Sequence, residues 1–194
     1  MLSPEECSEL HRSFVGDVLE GLKGFSSSVD VELHTDLECD AWSEFHLASK
    51  LQVGSDLGER MWNAANDALA RGYEQAMILG SDAPTLPLSH LRALLDSSAD
   101  VAFGPTEDGG YYAIKFRRLT PSVFEGVEWS TELTLQQSIA AAQRAGLSVE
   151  LGPCWYDIDS PADLVRLVSE ETPTRTKQWL MAHHFLIEPA VESI

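Results

Sequence analysis

Positive charge is what this sequence has least of. Thirteen lysines and arginines stand against 31 aspartates and glutamates, a formal net charge of −18 over 194 residues. A field of that sign repels nucleic acid and anionic membrane, so neither is an expected partner. Cysteine is also sparse: Cys7, Cys39 and Cys154 show no CxxC spacing, which argues against a disulfide framework or a structural zinc. No apolar run approaches the ~18 residues of a membrane span. The opening Met1-Leu2-Ser3-Pro4-Glu5-Glu6 has neither the basic region nor the apolar stretch of a signal peptide. The expected compartment is a reducing cytoplasm.

What is present is globular. The chain is 44% hydrophobic and 23% charged, near the average for folded domains. A domain of this length buries roughly 70% of its unfolded surface and needs no metal or disulfide to fold. No internal repeat, low-complexity tract or linker divides it. The expectation is one domain over residues 1–194, with residues 183–194 as a tail.

Periodicity predicts the elements. Ser3-Pro4-Glu5-Glu6 reads as a capping box with proline at the first helical position, and Leu10, Phe14, Val15, Val18, Leu19 and Leu22 follow at helical spacing. Val29, Val31 and Leu33 alternate with Asp30, Glu32 and His34, predicting a strand over 28–35. A polar loop then runs to about Gly54, and residues 57–71 read as a helix closed by Gly72. The apolar run 76–80 predicts a parallel strand buried on both faces. Further helices are expected over 87–97, 131–145, 161–169 and 174–182, and strands over 100–104, 111–116 and 147–151. Strands alternating with helices imply a largely parallel sheet covered on both faces.

In such sheets ligands bind at the carboxyl ends of the strands. Three acidic turns fall there. Gly80-Ser81-Asp82-Ala83-Pro84 follows a buried strand and can aim Asp82 into a crevice, or use it as a helix cap. Glu107-Asp108-Gly109-Gly110-Tyr111-Tyr112 carries a hairpin signal. Its paired glycines also suit close backbone approach to a ligand. Asp157 and Asp159 are alternate residues of an extended segment and share a face, although Asp159 or Ser160 also suits the cap of the helix entered at Pro161. An aspartate nucleophile of the haloacid-dehalogenase type is a poor fit, because that motif opens its fold and only 35 residues follow Asp159.

Carboxylates from separate strand ends suit Mg²⁺ or Mn²⁺, hard cations that take oxygen ligands. Each bare carboxylate–phosphate pair at about 4 Å would cost roughly 4 kcal/mol at an effective dielectric near 20. A bound divalent ion reverses that sign, and so lets an acidic protein hold a nucleotide. Other residues read blandly. His183-His184 is expected as a helix-end surface pair, Cys154 as core packing, and Trp62, Trp129, Trp155 and Trp179 as core or pocket wall.

Five segments together resemble a known family. They are Gln52-Val53-Gly54-Ser55-Asp56-Leu57-Gly58-Glu59-Arg60-Met61, Ile78-Leu79-Gly80-Ser81-Asp82-Ala83-Pro84-Thr85-Leu86-Pro87, Gly104-Pro105-Thr106-Glu107-Asp108-Gly109-Gly110-Tyr111-Tyr112, Trp129-Ser130-Thr131, and Trp155-Tyr156-Asp157-Ile158-Asp159-Ser160-Pro161-Ala162-Asp163-Leu164. Their order and spacing resemble the bacterial GT-A-like transferases called selenodomain-associated transferase 1, or domain-of-unknown-function family 2064. The resemblance implies the fold of the nucleotide-diphosphosugar transferases, a three-layer α/β/α sandwich with a mostly parallel sheet. It also implies an NTP or NDP-sugar donor, a small-molecule acceptor and Mg²⁺ or Mn²⁺.

By that resemblance Asp82 and Asp159 are metal ligands with Asp157 in support, and Asp108 is the base or orienter. Gly109, Gly110 and Tyr111 would line the acceptor side. Asp56, Gly58 and Arg60 would shape the nucleotide side, and Ser130 and Thr131 would lie near the acceptor at a helix N-terminus.

The departure is at the start. Members usually open with a strand and a basic loop, K-x-P-x-P-G-x-x-K-T-R-L, whereas this sequence opens on the first helix. Residues 1–59 hold only Arg12, Lys23 and Lys50 against thirteen acidic residues. The missing strand belongs at the centre of the sheet, so its loss would expose two strand edges and leave hydrogen bonds of roughly 0.5–1.5 kcal/mol each unmade. Either the start is misplaced or trimmed, or the chain is a degenerate paralogue, or His184-Phe185-Leu186-Ile187-Glu188 fills the slot. An open edge makes a homodimer an expected state. The rival to a transferase is a non-catalytic nucleotide-binding or protein-interaction module on the same fold.

Overall fold

The computed structural model describes residues 2–25, 29–169 and 173–185. Helix α1 (Pro4–Leu22) starts at the expected capping box: the Ser3 hydroxyl accepts from the Glu6 amide at 3.2 Å, and Glu6 accepts from the Ser3 amide at 2.6 Å. Its stripe splits between two neighbours. Leu10 and Phe14 pack with Leu164, Leu167, Trp179 and Leu180 of α5 (Pro161–Ser169) and α6 (Thr174–Ala182), while Val15 and Leu19 cover Phe45.

Helix α6 begins at Pro173, which offers no side-chain cap. Asp17, buried in the middle of α1, supplies one from a distance, accepting from the Arg175 amide at 3.0 Å and the Thr176 amide at 2.7 Å. These are charge-assisted bonds to otherwise orphaned helix donors. Asp17→Ala should therefore cost about 1.5–3 kcal/mol by urea denaturation, and Asp17→Asn somewhat less, because its one amide oxygen keeps one of the two bonds while its NH2 faces the other donor. Equal losses would mean that a single acceptor oxygen is worth nothing there and that the cap needs the whole carboxylate.

The central sheet has the order β3 (Ala76–Leu79), β5 (Tyr111–Phe116), β4 (Val101–Pro105), β6 (Val149–Leu151). The expectation of a mostly parallel sheet needs correction, because the sheet is mixed. β5 runs antiparallel to both β3 and β4, while β4 and β6 pair in parallel. The cause is the turn at 106–110, too short for a crossover, so that β4 and β5 form a hairpin. Strands β3, β4 and β6 still share one direction and present their carboxyl ends on one edge.

Alternation sorts the two faces into three layers. Ala76, Ile78, Val101, Phe103, Ile114 and Phe116 pack against α2 (Leu57–Ala70) and α4 (Thr134–Arg144), and Met77, Leu79, Ala102 and Ala113 pack against α3 (Leu88–Asp96). The register slips between Gly104 and Pro105, so Tyr111 turns to the α2/α4 face and Tyr112 to the α3 face. Lys115 is fully buried, and its ammonium donates to the Ser97 and Ala99 carbonyls at 2.9 and 3.0 Å, closing the carboxyl end of α3. Burial pulls its pKa down.

Strands β1 (Glu32–Thr35) and β2 (Ala48–Leu51) form a separate parallel pair. The ladder is shorter than the alternation over 28–35, whose first residue lies outside the described residues. β2 falls inside the expected loop: Ala-Ser-Lys-Leu is short and largely exposed, so it carries no hydrophobic pattern. A 3-10 turn, Ser43–Phe45, precedes it.

Among the described residues β1 pairs only with β2 and β3 only with β5, which leaves each with one open edge. Ion pairs stitch the small sheet to α2. Glu32 receives both Arg71 Nη atoms at 2.5 and 2.8 Å, and Lys50 reaches Asp67 at 2.6 Å. The Arg71 guanidinium holds the Glu32 carboxyl below its usual range. A cleft of about 490 Å³ lies beside β1, walled by Leu19, Leu22, Phe25, Phe45 and Tyr73. Of residues 184–188, offered above as a filler for the slot, 186–188 lie outside the described residues, and Phe185 stacks on Trp179 with ring centroids 6.0 Å apart. No described helix is long and apolar enough to cross a membrane.

Candidate active site

Asp82, Asp157 and Asp159 converge, each offering a carboxylate oxygen within 4.8 Å of the others. Asp82 follows β3, and the other two follow β6 in an extended run that continues beside β4 through the Thr106–Trp155 bridge. Asp108, in the β4–β5 turn, lies close enough to act electrostatically on Asp157 and Asp159. Burial, then Asp108, Asp159 and Asp82, pushes Asp157 up to about 7. Asp159 is raised by burial, then by Asp82, Asp108 and Asp163. Two carboxylates about 5 Å apart repel by roughly 3 kcal/mol at an effective dielectric of 20. No lysine or arginine among the described residues pairs with any of the four.

The capping alternatives do not consume these groups. Helix α3 starts at Leu88 behind Pro87, so Asp82 caps nothing. Its carboxylate folds back over Gly80, where a Cβ would lie 2.9 Å from its Oδ1. The start of α5 is served by Asp163, which accepts from the Ser160 amide at 2.8 Å and hydroxyl at 2.7 Å, and Asp159 is left facing the cluster. Asp108 is partly committed: its Oδ1 accepts from Thr106 at 2.5 Å and from the Gly110 amide at 3.0 Å, which fixes its direction.

The frame between the carboxylates is largely silent in sequence. The Ile158 amide, between Asp157 and Asp159, donates to the Asp82 carbonyl at 3.0 Å. Thr85 donates to the Tyr156 hydroxyl at 3.1 Å and accepts from Trp155 Nε1 at 3.4 Å. His11 of α1 meets the Ser81 hydroxyl at 3.2 Å. Only the place of Thr85 three residues after Asp82 could have drawn attention to it.

The remaining candidates fall elsewhere. Asp56 is the N-cap of α2, accepting from the Glu59 amide at 2.8 Å, and Arg60 reaches back to the Gly54 carbonyl and Gln52. Gly58 is buried against Trp129. Tyr111 stacks edge-on against Phe103 in the core, and burial pushes its phenol up. Gly109, with φ +93°, makes its close approach to the Glu132 backbone, and its carbonyl accepts from the Leu135 amide at 2.9 Å. Ser130 is exposed and left-handed at φ +60°. Thr131 braces the start of α4, which begins three residues later than expected, by bonding the Glu128 carbonyl and the Leu133 amide. Cys154 is exposed, a correction to its expected core role, since residues 152–154 form a surface loop.

Acidic groups gathered at the carboxyl ends of three codirectional strands, inside a three-layer sandwich, belong to the GT-A-like nucleotide-diphospho-sugar transferase fold. A crystal structure from Desulfovibrio desulfuricans G20, provisionally assigned as a nucleotide-diphospho-sugar transferase, matches at a TM-score of 0.79 and 28% identity, over 95% of this chain and 88% of that one. CMP:2-keto-3-deoxy-manno-octonic acid synthetase, solved with CTP, shares the fold at a TM-score of 0.59 and 14% identity, over 88% of each chain. In sequence, 2-phospho-L-lactate guanylyltransferase of Methanocella arvoryzae (strain DSM 22066 / NBRC 105507 / MRE50) is 26% identical over 86% of this chain and 71% of its own length. Residues 26–131 match the family described as "Uncharacterized protein conserved in bacteria (DUF2064)". The chain belongs to that family.

Proposed function

We propose that this protein is a divalent-cation-dependent transferase that takes a nucleoside triphosphate or nucleotide sugar as donor. The observation that carries the reading is the convergence of Asp82, Asp157 and Asp159 within 4.8 Å, with no basic partner among the described residues. Likeness to a guanylyltransferase and to a nucleotide-diphospho-sugar transferase supports it. An all-oxygen, all-anionic donor set fits hard cations such as Mg²⁺ or Mn²⁺.

Asp82 and Asp159 would hold the ion, with Asp157 beside them, and the ion would neutralise the donor phosphates. The chain's own residues then do the positioning. Asp108 is pinned through Oδ1, and its Oδ2 takes no hydrogen bond among the described residues, so it can orient an acceptor hydroxyl and accept its proton. The α4 start, packed on the Gly109 turn, carries Ser130 and Thr131 beside it.

Calorimetry with Mg²⁺ or Mn²⁺ and a panel of nucleotides and nucleotide sugars tests the reading. Nucleotide binding should require the cation and vanish in Asp82→Ala and Asp159→Ala. Binding that persists unchanged in both variants would sink the site. A non-catalytic nucleotide-binding module is the second reading, favoured by the three basic residues among the first 59. Cation-dependent binding without turnover on any donor would select it.

A further inference from the structure

We infer that Thr85 is a positioning residue whose hydroxyl sets the spacing of the carboxylate pocket. The inference rests on the cation-site reading above and deepens it. Asp82 and the Asp157/Asp159 pair lie on segments far apart in the chain, and mutual repulsion drives them apart. Two cross-links oppose that drift.

One is the bond from the Ile158 amide to the Asp82 carbonyl, 3.0 Å. The other is the Thr85 hydroxyl, which relays a hydrogen bond from Trp155 Nε1 to the Tyr156 hydroxyl, at 3.4 and 3.1 Å. The contacts pair 82 with 158 and 85 with 155–156, so the two segments run antiparallel and are pinned at two points. One alone would act as a pivot; two fix both distance and angle.

The anchor is rigid on the far side. Tyr156 is 3% exposed, its ring lies 5.4 Å from that of Trp155, and the Arg166 guanidinium covers it at 3.7 Å. Trp155 is held in turn by an edge contact with His90 at 5.2 Å. Pro84 stiffens the short path from Asp82 to Thr85. The consecutive aromatics before Asp157 thus have a use that pocket-wall packing leaves unexplained, since both heteroatoms converge on one hydroxyl.

Thr85→Val keeps the shape and removes both bonds, whereas Thr85→Ser restores the hydroxyl. Mn²⁺ binding by the parent and both variants, read by the electron paramagnetic resonance of the free ion, decides the matter. Thr85→Val should bind Mn²⁺ about 10–100-fold more weakly, the loss typical of outer-shell partners, and Thr85→Ser should bind like the parent. Equal affinity of Thr85→Val and parent would overturn the inference and leave the cation site standing. A parent that binds no Mn²⁺ would overturn the site and the inference with it. Should Thr85→Val fail to fold by its melting curve, Tyr156→Phe decides instead: it keeps the Trp155 bond, so a partial loss of affinity supports the clamp, and none refutes it.

Discussion

Asp157→Asn is expected to make the metal-free protein more stable while weakening the proposed cation binding. The reason is that the folded chain holds Asp157 half-buried beside Asp82, Asp108 and Asp159, with no cation among the described residues to offset them. An amide of the same shape removes one charge from that cluster. The gain should be about 1 kcal/mol, or roughly 2–4 °C in melting temperature for a domain of this size.

The pH dependence has a definite sign. The carboxyl is raised to about 7 when folded, against an ordinary value near 4 when unfolded. Its contribution is therefore fully present below about pH 4 and is lost as the pH rises through about 7. The advantage of Asp157→Asn over the parent should grow across that window and then level off. Excess Mg²⁺ or Mn²⁺ should narrow or reverse the difference, because the parent gains more from the ion. A variant less stable than the parent at pH 8 without metal would show that Asp157 is needed for packing or hydrogen bonding.

The second large effect belongs to Gly109→Ala. With φ at +93°, a Cβ would collide with the Glu132 carbonyl, which is backbone and cannot swing aside. Relief would require the hairpin turn to part from the start of α4, breaking the bond from the Leu135 amide to the Gly109 carbonyl at 2.9 Å. A cost of about 2–4 kcal/mol is expected, lowering the melting temperature by roughly 5–15 °C. Gly21→Ala is the matched control. It lies in α1 with open space around its missing Cβ, so alanine there should stabilise by about 0.5–1 kcal/mol. A Gly109→Ala protein as stable as the parent would mean that the turn relaxes freely and that Asp108, one residue earlier, is not rigidly placed.

Legibility differed sharply between residues. The capping box of α1 could be read because its four residues interact only with one another. The carboxylate pocket could be read because strand ends are few, and Asp157 and Asp159 must share a face. Asp56 and Asp82 looked alike, each an aspartate in a glycine-bearing turn, yet one caps a helix and the other caps nothing. The difference lies in Pro84 and Pro87, which delay α3 until Leu88. The paired glycines suggest a close backbone approach to a ligand; the approach Gly109 makes in the structure is to the Glu132 backbone, a contact local sequence does not announce. Strand β2 was invisible, since an exposed four-residue edge needs no hydrophobic pattern.

The sequence by itself determined the layers, the capped start of α1 and the gathering of acid at one edge of the sheet, all of which follow from local periodicity and from turns. It also determined the scarcity of positive charge, 13 basic against 31 acidic residues, which is the ground on which a cation is proposed. Tertiary structure alone decided that β5 reverses between β3 and β4, that among the described residues β1 and β3 each keep an open edge, and that Thr85 meets Trp155 and Tyr156. Those outcomes depend on which distant segments touch, and distance along the chain carries no record of that.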